Sequence, residues 1–255
     1  MTQRASRLLI LLLLSTSLCA FSEDSGLEYR VEEYSGGSYR VVMVDPKTVD
    51  LQLFWKDEGG KPLGTFKILA ESLGEQDLVL RFAMNAGIYA KDRTPLGLHV
   101  EEGETLEPLN LKTGGGNFFL KPNGVFYVMP DGQAAVCKSE TYAARNVEPR
   151  IAVQSGPLLL EEGELHPRFL KDSTSFHFRN GVGILPDGRI AFVLSQWPVN
   201  FYRFALFFKE TLGCKDALYL DGSLSGIYFP EEKLNQQVEK YVGMLGVVAA
   251  REEKP

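Results

Sequence analysis

The residues best suited to chemistry in this chain sit in short polar turns that close apolar runs. The sharpest is Asp221-Gly222-Ser223, which ends the run Ala217-Leu218-Tyr219-Leu220 and is followed closely by Ser225. It sets a carboxylate, a hydroxyl and glycine-freed backbone N–H groups side by side, where a rigid element hands over to a loop. A carboxylate can take up a proton, and hydroxyl and N–H groups can hold polar ligand atoms. An ordinary strand ending in an Asp-Gly turn has the same local sequence. Three further turns share the pattern: Asn85-Ala86-Gly87, Gln154-Ser155-Gly156-Pro157 and Arg179-Asn180-Gly181. Each alone reads as a turn, but strand ends of one sheet can converge on one cleft.

The elements that must position these turns are mostly strands. Tyr39–Val44 and 51–54 read as strands around Asp45-Pro46, Leu78–Met84 as a central strand, and 182–185 and 190–194 as a hairpin about Pro186-Asp187-Gly188. Asn123-Gly124 reads as a hairpin turn joining 117–120 to 125–128. Two helices are expected. The first runs over 65–73, capped by Thr65 and ended by Gly74. The second runs over 199–212, where Phe201, Phe204, Ala205, Phe208 and Leu212 form a core-facing stripe. Turns at short intervals and few helices predict an α+β fold: one β-rich domain with a mixed or antiparallel sheet.

Arg4 and Arg7, the apolar run 8–14 and the small residues of Ala20-Phe21-Ser22 predict a cleaved export signal over 1–22. Residues 23–38 read as a flexible lead-in and 39–255 as the functional domain. Cleavage takes the charge from −6 to −8, since 27 basic residues become 25 against 33 acidic ones. An acidic chain without a basic run is a poor nucleic-acid binder. No further apolar stretch is long enough to span a bilayer, so no integral span is expected in the mature form, and the compartment reads as periplasmic or secreted. Cys137 and Cys214 could pair there or remain two buried thiols, with the balance slightly towards thiols. His99, His166 and His177 are scattered, so neither a metal site nor a cofactor is expected.

The phrases FAMNAGIY, LGLHVEEGE, NFFLKPNGVF, QSGPLLLEEGELHPRF, RNGVGILPDGRIAFVLS and LGCKDALYLDGSLSGIY together resemble the phosphodiester glycosidase family, from about Leu78 to Phe229. The resemblance implies cleavage of a sugar-1-phosphodiester. Arg179 would then hold the phosphate through bidentate contacts. Gly87, Gly156 and Gly222 would offer N–H donors, and Asp221 would face the developing cation or activate water. Asn85 and Ser223 would orient hydroxyls or phosphate oxygens, with Ser155, Asn180 and Ser225 completing the binding set. The low pKa of a phosphate leaving group makes a strong general acid less necessary. His166 is secondary, and no two-carboxylate glycosidase pair is identified, Asp92 and Glu164 being candidates only. The family's Asp-Gly-Gly-Gly-Ser loop stands here as Asp221-Gly222-Ser223-Leu224-Ser225. A non-catalytic saccharide-binding protein using the same cleft is the alternative, and a structural envelope protein a third reading.

Overall fold

The computed structural model describes residues 26–222 and 224–251; the expected export signal and Ser223 lie outside the described residues. With strands numbered in chain order, the chain builds three sheets in which every paired strand is antiparallel. The largest runs β1 (Leu27–Tyr34), β2 (Gly37–Val44), β13 (Ile190–Ser195), β12 (Asn180–Ile184), β14 (Ala217–Asp221), β10 (Leu158–Glu161), β11 (Glu164–Leu165). The second runs β16 (Leu234–Gln236), β15 (Ile227–Phe229), β4 (Leu78–Ala86), β17 (Gly243–Ala250), β3 (Asp50–Phe54). The third runs β6 (Glu104–Glu107), β5 (His99–Glu101), β9 (Ile151–Ser155), β7 (Gly124–Val128), β8 (Ala134–Lys138).

The three sheets enclose one core. Phe192 of β13, Phe82 and Met84 of β4, Phe126 of β7 and Leu245 of β17 all meet in it. Side chains alternate across a strand, so Ile190, Phe192 and Leu194 enter this core while Ala191 and Val193 pack outward. The outward face is not wet: it lies under α3 (Phe201–Leu206) and the π-helical turn Phe207–Thr211. A strand covered on both faces must be apolar throughout, which is why residues 190–194 read as an unbroken run. α1 (Phe66–Gly74) covers the second sheet through Phe66, Leu69 and Leu73. Its cap is the expected one, with Ile68 N donating to Thr65 Oγ1 at 3.1 Å. α2 (Ser139–Arg145) lies over the third sheet, where Tyr142 packs on Tyr127.

Three expectations are corrected. The lead-in is not loose: Leu27–Tyr34 pairs with β2 along its whole length, through a tight turn in which Ser35 and Gly36 both take positive φ. Two positive-φ residues give a hairpin whose twist matches its strands. The polar composition had masked the alternation of Leu27, Tyr29 and Val31. Asn123-Gly124 is not a hairpin turn: Asn117–Phe119 is a 3-10 turn, and buried Asn123 donates from Nδ2 to Phe118 O at 2.8 Å. The hairpin is β7–β8, closed at Pro130-Asp131-Gly132. The second helix starts at Phe201, not Val199, because Val199 is bridged to His177 and Asn200 serves as the cap, accepting from Arg203 N at 2.9 Å. The strands expected on either side of Asp45-Pro46 are β2 and β3, and the turn between them carries the chain from one sheet to another. Cys137 and Cys214 are separate buried thiols, pushed up to about 11 and about 12 by burial.

Candidate active site

The end of β4, the start of β12 and the end of β14 come together where the first two sheets meet. Register places Asn180 opposite Asp221 on one side and Leu194 on the other. Between the pairs Asn180–Asp221 and Gly181–Tyr219, β14 has one extra residue, Leu220. Such a bulge bends the strand locally and re-aims the residue that follows.

One hydrogen-bonded network then fixes the carboxylate. Asn180 Oδ1 accepts from Asp221 N at 2.8 Å. Asn180 Nδ2 donates to Asn85 O at 2.8 Å and Asn85 Oδ1 at 3.1 Å. Gly226 N also donates to Asn85 Oδ1, at 2.8 Å, which leaves Asn85 Nδ2 to donate to Asp221 Oδ2 at 3.0 Å. Gly222 N donates to Asp221 Oδ1 at 2.6 Å. Ser225 folds the loop back, its N and Oγ both donating to Gly222 O. Burial pushes the Asp221 carboxyl up to about 6, while the bonds from Gly222 and Asn85 work against that rise. Its residue is partly open to solvent.

Arg179 lies deeper, at 1% exposure. Its Nε donates to Val199 O at 2.8 Å and its Nη2 to Ser175 O at 2.9 Å. The guanidinium sits 3.6 Å above the centre of the Phe201 ring, with the Tyr219 ring centre 5.6 Å away. Two edges of the planar fork are therefore occupied, and Nη1 is the buried atom without a partner. These two bonds use two of the five guanidinium N–H donors. Tyr219 Oη is likewise buried without a hydrogen-bond partner. Burial raises the Tyr219 phenol, which Arg179 opposes and Asp221 reinforces, so it stays protonated at neutral pH.

The other expected residues separate into groups. Asn85, Asn180, Asp221, Gly222 and Ser225 share the network just described. Ser155 joins its underside, with Oγ donating to Leu220 O at 2.9 Å. Gly87 takes φ +82 just past β4, where an added Cβ would lie 2.9 Å from Val153 Cγ2. Gly156 is packed so that a Cβ would strike Asn123 and Phe118 O. Asp92 is exposed in a small turn, its carboxyl held low by Thr94. Glu164 is exposed on the short edge strand β11. His166 is buried, accepts from Arg168 N at Nδ1, stacks on Phe169, and is held low by burial. Tyr89, Tyr219 and Tyr241 were not anticipated; burial raises all three phenols, and the Asp221 charge adds to each rise. Tyr219 alone had a legible signal, standing two residues before Asp221 on the same strand. Among the described residues no cluster of three or more His, Cys, Asp or Glu could hold a metal.

The arrangement offers one carboxylate, ionised at neutral pH and available to a proton or a cation, near the buried Tyr219 phenol, which in turn neighbours the Arg179 guanidinium. A family model described as phosphodiester glycosidase matches residues 79–242. The uncharacterized protein YigE of Escherichia coli strain K12 is 39% identical over 204 residues, covering 80% of this chain and 79% of that protein. The zebrafish N-acetylglucosamine-1-phosphodiester alpha-N-acetylglucosaminidase catalytic domain, auto-inhibited by its pro-peptide, superposes with a TM-score of 0.61 at 16% identity, over 89% of this chain and 84% of that one. A hypothetical protein from Synechocystis gives 0.54 at 15% identity, over 88% of this chain and 62% of that one. At such identities the two structures speak for the fold alone.

Proposed function

The chain belongs to the phosphodiester glycosidase family, and we propose that it hydrolyses the bond between a sugar's anomeric carbon and a phosphodiester oxygen, in a saccharide of the cell envelope or the extracellular medium. The Asp221 network carries this reading: a carboxylate near pKa 6, fixed by Asn85 and Gly222, near the buried Tyr219 phenol and, beyond it, the Arg179 guanidinium. The bond from C1 to the phosphate oxygen breaks with its electron pair on oxygen. Arg179 and Tyr219 stabilise the phosphate as that charge develops. A water oxygen bonds to C1, and its proton passes to Asp221 and on to solvent. The products are the free sugar and a phosphomonoester. Ionised Asp221 also favours the cationic character at C1. Export, through the segment 1–22, is part of the same reading.

The test is turnover of a panel of α-glycosyl-1-phosphodiesters by the parent protein, with release of phosphomonoester as the readout. Turnover that Asp221→Asn abolishes supports the proposal. Saccharide binding without turnover of any diester overturns it in favour of a binding module.

A further inference from the structure

Beside the Asp221 site, the segments 175–179 and 195–200 run together as a short ribbon. Ser195 N donates to Arg179 O at 2.9 Å, and His177 and Val199 exchange both backbone hydrogen bonds, at 3.2 and 2.8 Å. Between these ties one side of the ribbon has a single residue, Phe178. The other has three, Gln196, Trp197 and Pro198. The longer side must loop outward, and Trp197, in the middle of the excess, is 63% exposed. Phe176 and Phe178 flank His177, so alternation sets them on one face of the ribbon; they are 45% and 43% exposed. Single exposed apolar residues need no explanation, but three large rings on one short ribbon form a patch of the kind that marks a binding surface.

The ribbon's other face does something quite different. Val199 O and Ser175 O are the two acceptors that fix the Arg179 guanidinium. The exposed rings and the buried cation are therefore carried by the same few residues. Trp197 follows β13, two strand spacings or roughly 10 Å from β14, while Phe176 and Phe178 lead into β12, the strand next to β14. The ribbon therefore runs alongside the end of β14, a position suited to a unit that neighbours the sugar being cleaved.

We infer that this ribbon is a saccharide-binding ledge: sugar units adjoining the scissile one lie with their apolar C–H faces against Trp197, Phe176 and Phe178, and the substrate is an extended saccharide rather than a lone sugar diester. Aromatic faces carry negative quadrupole charge and attract such C–H groups. The inference rests on the saccharide substrate proposed above, though not on its turnover. A lipid surface is the other occupant that exposed aromatic residues suit; the ledge is assigned to saccharide because it adjoins the Arg179 and Asp221 strand ends.

Because Trp55 is 4% exposed, iodide quenching of tryptophan emission reports on Trp197. The protein to use is full-length Asp221→Asn, so that binding is read without cleavage. The probes are a tetrameric oligosaccharide of glycosyl-phosphate units, the corresponding monomeric methyl diester, and vesicles of phosphatidylethanolamine with phosphatidylglycerol. The tetramer should protect Trp197 from iodide and bind more tightly than the monomer. Adding Trp197→Ala should weaken the tetramer about tenfold, the scale of truncating an aromatic anchor, and the monomer by much less. Adding Trp197→Phe should retain most of the tetramer's affinity, with matching melting temperatures excluding a folding defect. Equal affinity for tetramer and monomer, or an equal loss for both on Trp197→Ala, overturns the ledge. Protection by vesicles but not by tetramer overturns it in favour of a membrane surface. Tetramer binding by a parent that turns over no diester leaves the ledge standing and removes only the catalytic reading.

Discussion

Asn85 and Asp221 belong to different sheets, yet Nδ2 of the first donates to Oδ2 of the second at 3.0 Å. The amide cannot turn over, because its oxygen already accepts from Gly226 N and Asn180 Nδ2. The bond therefore ties the end of β4 to the end of β14 and points a fixed donor at the one carboxylate of the network.

Removing that donor should be visible in the pH profile. The Asn85 bond lowers the Asp221 pKa against the effect of burial, so Asn85→Ala should raise it. The acid limb of kcat/KM should then move to higher pH. Stability should fall by about 1–3 kcal/mol, since Gly226 N and Asn180 lose a buried acceptor. An unmoved acid limb in a folded variant would contradict the assignment.

Asp221→Asn should lower kcat by ~10²–10⁴-fold, the usual contribution of a proton-transfer group, with substrate affinity nearly kept. Both oxygens of Asp221 accept hydrogen bonds, and an amide offers one acceptor. The lost bond, about 1 kcal/mol, is offset at neutral pH by relief of a desolvated charge. Single-turnover kinetics and calorimetry separate the rate from the affinity. A variant as active as the parent removes Asp221 from the mechanism.

The same pair of proteins tests the pKa through stability. The folded value of about 6 lies above the ordinary carboxylate value of 3.8, so between these the native state binds more protons than the unfolded one. The parent's stability therefore falls as pH rises through this window. Asp221→Asn has no such group. Its stability relative to the parent should grow from pH 4 to pH 7, by about 1–3 kcal/mol given a partly open carboxylate. Urea unfolding at several pH values reads the difference, and a flat difference would mean an unshifted Asp221.

Arg179→Lys keeps the charge but not the two backbone contacts or the stacking on Phe201. A single ammonium cannot span both carbonyls. Thermal unfolding should show a loss of about 1–3 kcal/mol, and KM should rise more than kcat falls. Unchanged KM would remove Arg179 from phosphate binding. An unchanged melting temperature would contradict the clamp.

Much of the frame was legible in the residues because its causes are local. Thr65 and Gly74 bound a helix, Pro186-Asp187-Gly188 bounds a hairpin, and apolar runs mark strands covered on both faces. Asp221, Asn180 and Asn85 stood out because each ends or begins such a run with a polar side chain. The lead-in was misread because a Gly/Ser-rich composition outweighed the alternation in β1, whose partner strand supplies its order.

What only the tertiary structure decided depends on groups that are distant in sequence or carry no side-chain signature. Asn85 and Asp221 are 136 residues apart, and their meeting requires two sheets to close on one core. The acceptors that occupy Arg179 are the backbone carbonyls of Ser175 and Val199. Every residue has such a carbonyl, so nothing in the residue types could show which two would take half the guanidinium and leave Nη1 free. Tyr219 stands two residues before Asp221 in the sequence, but register and burial are what set its phenol near Asp221 and Arg179. Residue type supplied the chemical groups. Non-local pairing fixed which of them are free to react, because a hydrogen-bonding group is spent or available only according to what the fold brings against it.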